Sequence, residues 1–583
     1  MVERKEPHVS AANADVDVLV IGTGPVGLAL ANLLGIRGVS VAVMEKRDKL
    51  IDYPRGVGLD DESMRTIQAM GLAEEFLPYT IPHHIMRLVD GAGNVILTNN
   101  PQGEPYGWPR KFGFLQPLAD KASFDGLSRF PHVTTTFGRE LVKIEEVAGG
   151  VRATFEHVRG EEGEERTGEQ ETVTAKYLVG CEGGRSFTRK WMGTEFEGKS
   201  PSTRWVVVDV NNDPLGAPNV YLGADPNRPY VSIGLPRGVR RWEFMLFDDE
   251  PTEKVEDNAF IEELLAEHIP AGTKLDVIRR RVFTHHGRMA RTFRKGNVLI
   301  AGDAAHLMPV WMGQGYNSGI RDVTNLAWKL AGVLQGKFSP SLLDTYDVER
   351  RDHAKAMIDL SMTFGTVIKP TDKKVAFVRD TAAKLMNLSP RVKDYFADMK
   401  FKPVPRYGRG AVVDQATLKP GVADRSNDPA RRPRIVTSRV AVNTMSPVGL
   451  QLIQPKVEYE GEAVLLDEAL GLNHAVLSWG VDPARLFTPK QLSELAAAEV
   501  KLVCVVSPTQ VEWAKQYVSE GTEVVSDITG ALKGFFDTRA VGTVLVRPDR
   551  FVAAATLNAQ AGQAWESYKR AAHVRAYQAD TEH

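Results

Sequence analysis

The chain has 583 residues, 43% of them hydrophobic and 25% charged, which is typical of a globular protein large enough for more than one domain. The 72 Lys and Arg residues nearly balance the 74 Asp and Glu residues, and the net charge is -2. This balance, without a basic block, argues against nucleic acid and an anionic membrane surface as partners. Two cysteines without a CxxC motif favour a reducing cytoplasm. The N-terminus lacks the apolar core of a signal peptide, and the apolar run 16–44 is too interrupted to span a membrane.

The first elements after a predicted mobile tail (residues 1–14) form a β-α-β unit. The predicted elements are strand 16–21, helix 26–34 and strand 39–44. Gly22, Gly24 and Gly27 stand in GxGxxG register between the first strand and the helix. The first glycine permits the tight turn, the second lets a pyrophosphate approach the backbone, and the third lets helix and strand pack closely. This spacing predicts a dinucleotide site.

Glu45 closes the second strand, 21 residues after Gly24. An acid at this distance accepts hydrogen bonds from ribose hydroxyls and disfavours the 2′-phosphate of NADP. The GxGxxG turn and Glu45 together therefore predict that the bound dinucleotide is FAD or NAD.

The middle of the chain is rich in predicted strands, and the end alternates strands with helices. Strands are predicted over 85–98, within 141–178, and over 204–211, 219–235 and 241–247, with helices over 318–335 and 341–366. Proline, glycine and arginine cluster at 402–436, which indicates a domain boundary. Beyond it, strands 463–466, 501–506 and 543–546 alternate with helices 490–498, 508–519 and 560–571. This pattern predicts a small, separate α/β domain.

A second strand-turn-helix appears at "NVLIAGDAAHLMPVWMGQGYNSG", residues 297–319. Asp303 is a lone carboxylate beside a glycine and alanines, so its partner is expected to be a ligand. The glycines after Met308-Pro309 predict a loop lying along a flat ring, with the helix that begins near Asn317 directing N–H groups at it. FAD, whose ribityl chain can reach from the first glycine turn to a second site, fits both motifs better than NAD.

The two motifs, with "DYPRGVGLDDESMRTIQAMGL" (52–72) and "LLDTYDVERR" (342–351), resemble those of the FAD-dependent aromatic hydroxylases, and most closely the 3-(3-hydroxyphenyl)propionate hydroxylase type. The resemblance implies an α/β fold: a Rossmann-like FAD-binding domain with an inserted β-sheet substrate domain and a C-terminal thioredoxin-like α/β domain. The implied parts of the FAD-binding domain are 15–83, 101–200 and 284–400, the β layer and substrate domain are 84–100 and 201–283, and the thioredoxin-like domain without CxxC is 401–583.

The resemblance also implies site residues. Glu45 would hold the adenosine ribose, Arg55 would lie near the FAD phosphates or ribityl chain, and Gln116 and Asp303 would contact the ribityl chain. Pro309 would face the reacting edge, and the backbone from Gly315 to Asn317 would face the pyrimidine edge. The sequence departs from the family at Glu182, where an aspartate is usual, and a glutamate reaches one methylene farther than an aspartate.

The family chemistry is reduction of FAD by NADH or NADPH, oxygen addition to the flavin, and transfer of OH from the flavin hydroperoxide to an electron-rich ring. Water must be excluded, because the hydroperoxide otherwise decays to peroxide. His286 and Tyr316 are the candidates for taking the phenol proton, although a structural role is open to His286. No metal is expected, because adjacent His285 and His286 would face opposite sides of a strand.

Trp311 and Met312 are expected to form the pocket wall, which suits a phenol with a side chain. If the substrate is a carboxylate, an arginine of the β layer should bind it, with Arg204, Arg241 and Arg288 as unranked candidates. The expected partners are a small aromatic substrate and O₂, and a homodimer is one assembly open to the chain. Three alternatives stay open: a hydroxylase of larger polyphenols or polyketides, an FAD dehydrogenase or oxidase without oxygen insertion, and an FAD-stabilised binding module.

Overall fold

The computed structural model describes residues 14–413 and 446–575. Residues 1–13 of the predicted tail and 414–436 of the predicted boundary cluster lie outside these ranges. The chain divides into two compact units: the first comprises 1–103, 109–323 and 354–402, and the second comprises 104–108, 324–353 and 403–583. Residues 324–353, which the sequence places in the FAD-binding domain, thus belong to the second unit.

The first unit contains a sheet with a parallel centre. Val16–Ile21 pairs in parallel with Val41–Met44 on one side and Glu165–Gly180 on the other. Val133–Thr136 and Val298–Ile300 extend this parallel centre, and Arg139–Val147, Gly150–Arg159 and Arg294–Lys295 add antiparallel strands. Its helices are Pro25–Gly35, Gln116–Asp125 and Phe187–Met192. Val18, Leu19 and Val20 are fully buried, as expected for a strand covered on both faces. The turn after this strand lies at the carboxyl edge of the sheet, where α/β folds bind ligands.

A seven-stranded sheet in the same unit forms the predicted β layer. Its order is Val277–Thr284, Arg204–Val210, Arg240–Leu246, Tyr230–Gly234, Val220–Ala224, Met86–Asp90 and Val95–Asn99. Side chains alternate along the strands, so Val206 and Val208 pack with the helix Asn258–Leu265, whereas Trp205 packs on the opposite face. This opposite face is called the Trp205 face below.

Two three-stranded sheets and several helices complete the first unit. The sheets are Gly58–Asp60 with Lys111–Phe114 and Thr80–Pro82, and Phe196–Lys199 with Gly287–Ala290 and His306–Leu307. The helices are Asp61–Ala69, Ala73–Phe76, Lys373–Asn387 and Pro390–Ala397, together with the part of Gly315–Leu334 up to residue 323 and the part of Asp344–Ile368 from residue 354. No helix within the described residues is long and apolar enough to cross a membrane.

The second unit holds a mixed sheet with helices. Its strand order is Glu462–Leu465, Lys456–Tyr459, Thr522–Ser526, Lys501–Val506, Ala475–Trp479, Thr543–Val546 and Val552–Thr556. The helices are Leu466–Leu470, Pro489–Ala497, Val511–Tyr517, Ala531–Arg539 and Ala561–Ala571. Cys504 lies on a central strand, and burial raises the pKa of its thiol to about 11. Cys181, in the first unit, is also a free and buried thiol, and burial raises its pKa well above the ordinary value.

Four charged side chains are completely buried inside the second unit and form what we call the Arg547 cluster. Arg547 donates two hydrogen bonds of 2.8 Å to the Glu349 carboxylate and a further pair to Asp549, and Lys329 Nζ lies 2.7 Å from Glu349. Burial alone would raise the pKa of Glu349, but Arg547 and Lys329 outweigh it and lower the pKa to about 2. The cluster is therefore charged at neutral pH, and each member depends on its partners.

Candidate functional site

The first glycine turn is shaped to admit a ligand at one position. Gly22 has a φ of 106°, and a Cβ placed on Gly27 would lie 2.0 Å from the Gly22 carbonyl oxygen. Both positions therefore require glycine for the fold itself. Gly24 is different: its backbone is extended (φ −69°, ψ 171°), and a Cβ placed there would meet no atom within 4 Å. The open space at Gly24, at the N-terminus of the helix Pro25–Gly35, fits an approaching pyrophosphate.

We expect Gly24→Val to keep the fold and lose the cofactor. Valine tolerates an extended backbone, and its side chain would fill the space that a pyrophosphate needs. FAD affinity should fall by at least about a hundredfold, which corresponds to ~2.7 kcal/mol. Flavin absorbance of the purified protein and its circular dichroism measure the two properties separately. Gly27→Ala is the contrasting variant, because its Cβ clash should lower the melting temperature as well. A Gly24→Val protein that retains FAD would contradict a phosphate site here.

The Glu45 carboxylate is hydrogen-bonded to neighbouring groups of the protein. Its carboxylate accepts hydrogen bonds from Thr23 N (2.8 Å), Thr23 Oγ1 (3.0 Å) and Arg47 N (2.9 Å). Glu45 thus ties the end of its strand to the glycine turn. Its contact with a ribose stays a prediction.

The downstream elbow, residues 301–305, carries Asp303. Gly302 has a φ of 61°, and the half-buried Asp303 side chain makes no hydrogen bond or ion pair with the described residues. The elbow itself is held by buried Asp322, whose Oδ2 accepts from Gly302 N at 2.9 Å and lies 2.7 Å from His306 Nε2. The Asp303 carboxylate is therefore held in place and left for a ligand, which fits a polyol such as a ribityl chain. The sequence did not indicate Asp322 or His306, because their pairing exists only in the fold.

The predicted residues Arg55, Gln116 and Tyr316 lie in one neighbourhood. Gln116 Oε1 accepts from Gly56 N, and a Cβ placed on Gly56 would lie 3.5 Å from the Cβ of Tyr316. Gln116 Nε2 donates to Asp120 Oδ2 at 3.0 Å. Burial raises the pKa of Asp120 to about 7, against the opposing effects of the Gln116 hydrogen bond and the Arg55 charge. Sequence reasoning missed Asp120, which lies one helical turn after Gln116.

The loop from Pro309 to Asn317 is anchored by the Asn317 side chain. Its Oδ1 accepts from Asp60 N (3.0 Å) and Ser63 Oγ (2.8 Å), and its Nδ2 donates to Gly58 O (3.0 Å) and Gly313 O (2.9 Å). The Asn317 side chain is therefore fully used by the protein. The helix Gly315–Leu334 begins here, and the N–H groups of a first helical turn have no acceptor within the helix. A ligand contact at Gly315 and Asn317 would accordingly be made by the backbone.

A buried ion network lies one turn beyond Asn317. Arg321 bonds Glu62 (Nε to Oε2, 2.7 Å) and Asp60, and Lys402 Nζ lies 2.9 Å from Asp60 Oδ2. Burial raises the pKa of Asp60, but the two cations outweigh it and hold the pKa well below the ordinary value. The network holds the segment that contacts Asn317, and it was not predicted because its members are far apart in the chain.

Trp311 belongs to an aromatic cluster on the Trp205 face, which we define as Trp205, Phe283, His285 and Trp311. The rings of Trp205 and His285 each lie 4.7 Å from the Trp311 ring, edge to face, and Phe283 lies 5.1 Å from His285. Met312, the other predicted wall residue, is buried. The loop predicted to carry the flavin ring thus contacts aromatic side chains of the β layer through Trp311.

The two adjacent histidines have different surroundings. His286 Nδ1 lies 2.8 Å from Ser200 Oγ, and its Nε2 lies 3.2 Å from Thr284 Oγ1. His285 instead lies in the aromatic cluster, against Trp311. The catalytic role of His286 stays a prediction. His285 contacts Trp311, which lies in the loop predicted to carry the flavin ring.

The predicted substrate arginines are bonded to the protein's own groups. Arg241 forms a buried pair with Asp209 (2.8 and 3.0 Å) and donates to the carbonyls of Pro54 and Arg55. Arg204 donates to the carbonyls of Phe247 and Glu250 and to the Thr252 hydroxyl. Arg288 donates to Ser200 Oγ at 2.7 Å. These contacts give Arg204 and Arg241 structural roles, and substrate contact by either stays a prediction.

Glu243 is a buried carboxyl on the same side of its strand as Arg241. Burial raises its pKa to about 7, although Arg241, 3.8 Å away, lowers it. The ordinary pKa of a glutamate is 4.5, so above this pH Glu243 ionises in the unfolded chain but stays protonated in the folded protein. The free energy of unfolding therefore falls as the pH rises from 4.5 to the folded pKa of about 7. We therefore expect Glu243→Gln to leave stability unchanged at pH 4 and to raise it by about 3 kcal/mol at pH 8. Urea unfolding of both proteins at the two pH values measures this, and an equal difference at both would contradict it.

Glu182, the departure from the family pattern, caps a helix. Its Oε1 accepts from Thr188 N (2.8 Å) and Thr188 Oγ1, and its Oε2 accepts from Ser186 Oγ (2.8 Å). The longer side chain thus serves the N-terminus of the helix Phe187–Met192. Within the described ranges, no group of three or more His, Cys, Asp or Glu side chains could hold a metal ion.

Two protein-family models match the chain. The FAD binding domain model matches residues 15–361, more than half of the chain, and the HcaD C-terminal domain model matches residues 449–571. Among solved structures, the flavin-dependent monooxygenase PieE in complex with FAD and substrate has a TM-score of 0.75 at 21% identity, covering 96% of this chain and 99% of that one. Aklavinone-11 hydroxylase with FAD and aklavinone has a TM-score of 0.72 at 23% identity, covering 96% and 99%. These structures confirm the predicted fold class.

Curated relatives match almost the whole chain. The 3-(3-hydroxy-phenyl)propionate/3-hydroxycinnamic acid hydroxylase of Mycobacterium sp. (strain JLS) is 46% identical over 94% of this chain and 91% of its own length. The protein of the same name from Escherichia coli (strain SMS-3-5 / SECEC) is 44% identical over 94% and 93%. The chain therefore belongs to the FAD-dependent aromatic hydroxylases, a family of flavoprotein monooxygenases.

Proposed function

We propose that this protein uses NADH or NADPH and O₂ to hydroxylate a small phenol that carries a short carboxylate chain, such as 3-(3-hydroxyphenyl)propionate. The observation that carries the proposal is the contact of Trp311, in the loop predicted to carry the flavin ring, with Trp205 and His285. Aromatic side chains at this point can bind the ring of an aromatic substrate next to the reacting edge of the flavin. Relatives named for this substrate, 44–46% identical over 94% of the chain, support the same substrate class.

The cofactor is held by groups that the fold leaves open. The N-terminus at Gly24 would bind the phosphates, Asp303 the ribityl hydroxyls, and the first turn at Gly315 the pyrimidine edge. When bound, FAD supplies the redox chemistry that takes electrons from the nicotinamide and activates dioxygen. The protein orients the phenol and excludes water with the bulky side chains of the aromatic cluster. These side chains already occupy the Trp205 face, which favours a one-ring substrate over a larger polyphenol.

Tyr316 is suited to donate a hydrogen bond rather than to accept a proton. Burial raises its pKa well above the ordinary value, and the nearby Asp120 carboxyl adds to this. The hydroxyl therefore stays protonated at neutral pH and can donate to a phenolate oxygen. His286 and Tyr316 as proton carriers, and Pro309 at the reacting edge, stay predictions.

Oxygen-18 incorporation tests the function. The FAD-loaded protein is given ¹⁸O₂, 3-(3-hydroxyphenyl)propionate and either NADH or NADPH, and the product is analysed by mass spectrometry. We expect substrate-dependent consumption of nicotinamide and one ¹⁸O atom per product molecule. Substrate oxidation without ¹⁸O would favour a dehydrogenase or oxidase, and turnover of larger polyphenols alone would favour the alternative substrate class. Absence of any substrate-dependent consumption would favour a binding module.

The location and assembly of the protein are part of the proposal. Two free, buried cysteines and an almost balanced charge suit a cytoplasmic enzyme of small molecules. A homodimer is the proposed assembly. Cell fractionation and light scattering of the purified protein would contradict these points by finding an exported protein or a monomer.

A further inference from the structure

The aromatic cluster contains polar atoms that no residue in the described ranges hydrogen-bonds. Trp205 Nε1, His285 Nδ1 and His285 Nε2 are all buried, and none has a hydrogen-bond partner among the described residues. Leaving a buried donor or acceptor unpaired costs about 1–3 kcal/mol. Three such atoms around one residue, Trp311, are therefore a substantial cost, which a bound ligand with polar groups would remove.

The ring contacts of His285 are of a kind that a phenylalanine ring can also make. The ring is 3% exposed and its contacts are with Trp205, Phe283 and Trp311, all aromatic. Burial, together with the charges of Lys369 and His286, lowers the pKa of His285 to about 3. The imidazole is thus neutral at physiological pH, with one nitrogen donating and the other accepting. This is the hydrogen-bonding capacity that a hydroxyl group matches.

A lysine that forms no ion pair with the described part of the chain lies near the same tryptophan. The helix Asp344–Ile368 passes so close to Trp311 that a Cβ on Gly365 would lie 2.6 Å from Trp311 Nε1. Lys369 follows one turn later on the same side, with its N–H donating to Gly365 O at 3.1 Å. Its half-buried amino group forms no hydrogen bond or ion pair with the described residues, and burial lowers its pKa. A partly desolvated, unpaired ammonium favours an anionic ligand.

We propose that His285 and Lys369 select the substrate, with His285 hydrogen-bonding the phenolic hydroxyl and Lys369 pairing with the side-chain carboxylate. This inference rests on the proposed function and assigns the recognition of each end of the substrate. It gives the carboxylate a partner in place of Arg204 and Arg241, whose donors are taken by the protein. The aromatic rings between the two polar groups would bind the ring of the substrate.

The proposed roles of His285 and Lys369 are tested by measuring ligand binding to the oxidised, FAD-loaded protein without nicotinamide. Three ligands are titrated by flavin absorbance: 3-(3-hydroxyphenyl)propionate, 3-phenylpropionate, which lacks the hydroxyl, and 3-ethylphenol, which lacks the carboxylate. In the unmodified protein we expect the hydroxyl to improve binding about tenfold. His285→Phe should remove this advantage and leave 3-phenylpropionate binding unchanged. Lys369→Met should weaken both carboxylates about fivefold and leave 3-ethylphenol unchanged.

Two matched variants serve as controls. His268→Phe changes a histidine that packs against Tyr230 and Phe244 on the other face of the sheet, and Lys373→Met changes an exposed lysine four residues beyond Lys369. Neither should alter the ligand preferences. If His285→Phe fails to retain FAD, His285→Leu provides the same comparison with a smaller side chain.

The outcomes separate this inference from the proposed function. A hydroxyl preference that persists without the imidazole would overturn the role of His285, and an unchanged carboxylate preference in Lys369→Met would overturn that of Lys369. The ¹⁸O assay on the unmodified protein reports on hydroxylation independently. Altered preferences with no hydroxylated product would reject the function and keep the binding pair.

Discussion

Replacing Asp303 with alanine is expected to give a stable protein that has lost FAD. The half-buried side chain makes no hydrogen bond or ion pair with the described residues, so its removal should leave the melting temperature of the FAD-free protein nearly unchanged. A carboxylate that accepts from a ribityl hydroxyl contributes about 1.5–3 kcal/mol per hydrogen bond. The loss of two such hydrogen bonds would weaken FAD binding by at least about a hundredfold. Activity should fall in parallel unless FAD is supplied in large excess.

The contrast with Asp322 makes this result specific. Asp322 is fully buried and binds Gly302 N and His306, so Asp322→Ala should lower the melting temperature even without FAD. Fluorescence titration with FAD and thermal unfolding, both on FAD-free protein, distinguish the two variants. Asp303→Ala with unweakened FAD binding would remove the second end of the proposed cofactor site. Loss of stability in Asp303→Ala would show that the side chain has a structural partner instead.

Arg547→Met is expected to cause the largest loss of stability. The guanidinium is completely buried and is the partner of both Glu349 and Asp549. Removing it leaves carboxylates inside the second unit with Lys329 as the remaining cation of the cluster, and such a change costs about 3–5 kcal/mol. The transition of the second unit should shift accordingly in urea unfolding followed by circular dichroism.

A double-mutant cycle identifies the charge imbalance as the cause. Arg547→Met together with Glu349→Met removes one charge of each sign and leaves Lys329 and Asp549, so the double variant should be less destabilised than the sum of the single variants. Lys533→Met serves as the control, since the Lys533–Asp537 pair is more than half exposed and should contribute under about 1 kcal/mol. Additive losses in the cycle would contradict a coupled cluster.

The features predicted from the sequence are those whose physical requirements are local. Gly22 and Gly27 are needed because of the turn in which they stand, and the glycines after Asp303 mark the elbow in the same way. The alternating strands of the β layer were also readable, because burial of one face imposes a period of two residues.

The features that were not predicted depend on residues far apart in the chain. Arg321 and Glu62 are 259 residues apart and Arg547 and Glu349 are 198 apart, so neither pair has a sequence signature. His285 and His286 lie between the strands Val277–Thr284 and Gly287–Ala290, so strand alternation could not predict their different surroundings. The protein acceptors of Arg204 and Arg241 also lie far along the chain, at Glu250 and Asp209, and a substrate contact by either arginine stays a prediction.

The burial of both thiols has a consequence for an enzyme that handles dioxygen. Any turnover that releases hydrogen peroxide exposes the protein to an oxidant that attacks thiolates. Cys181 and Cys504 are buried, and their raised pKa values keep them as unreactive thiols at neutral pH. Peroxide released during turnover is therefore not expected to convert either cysteine to sulfenic acid.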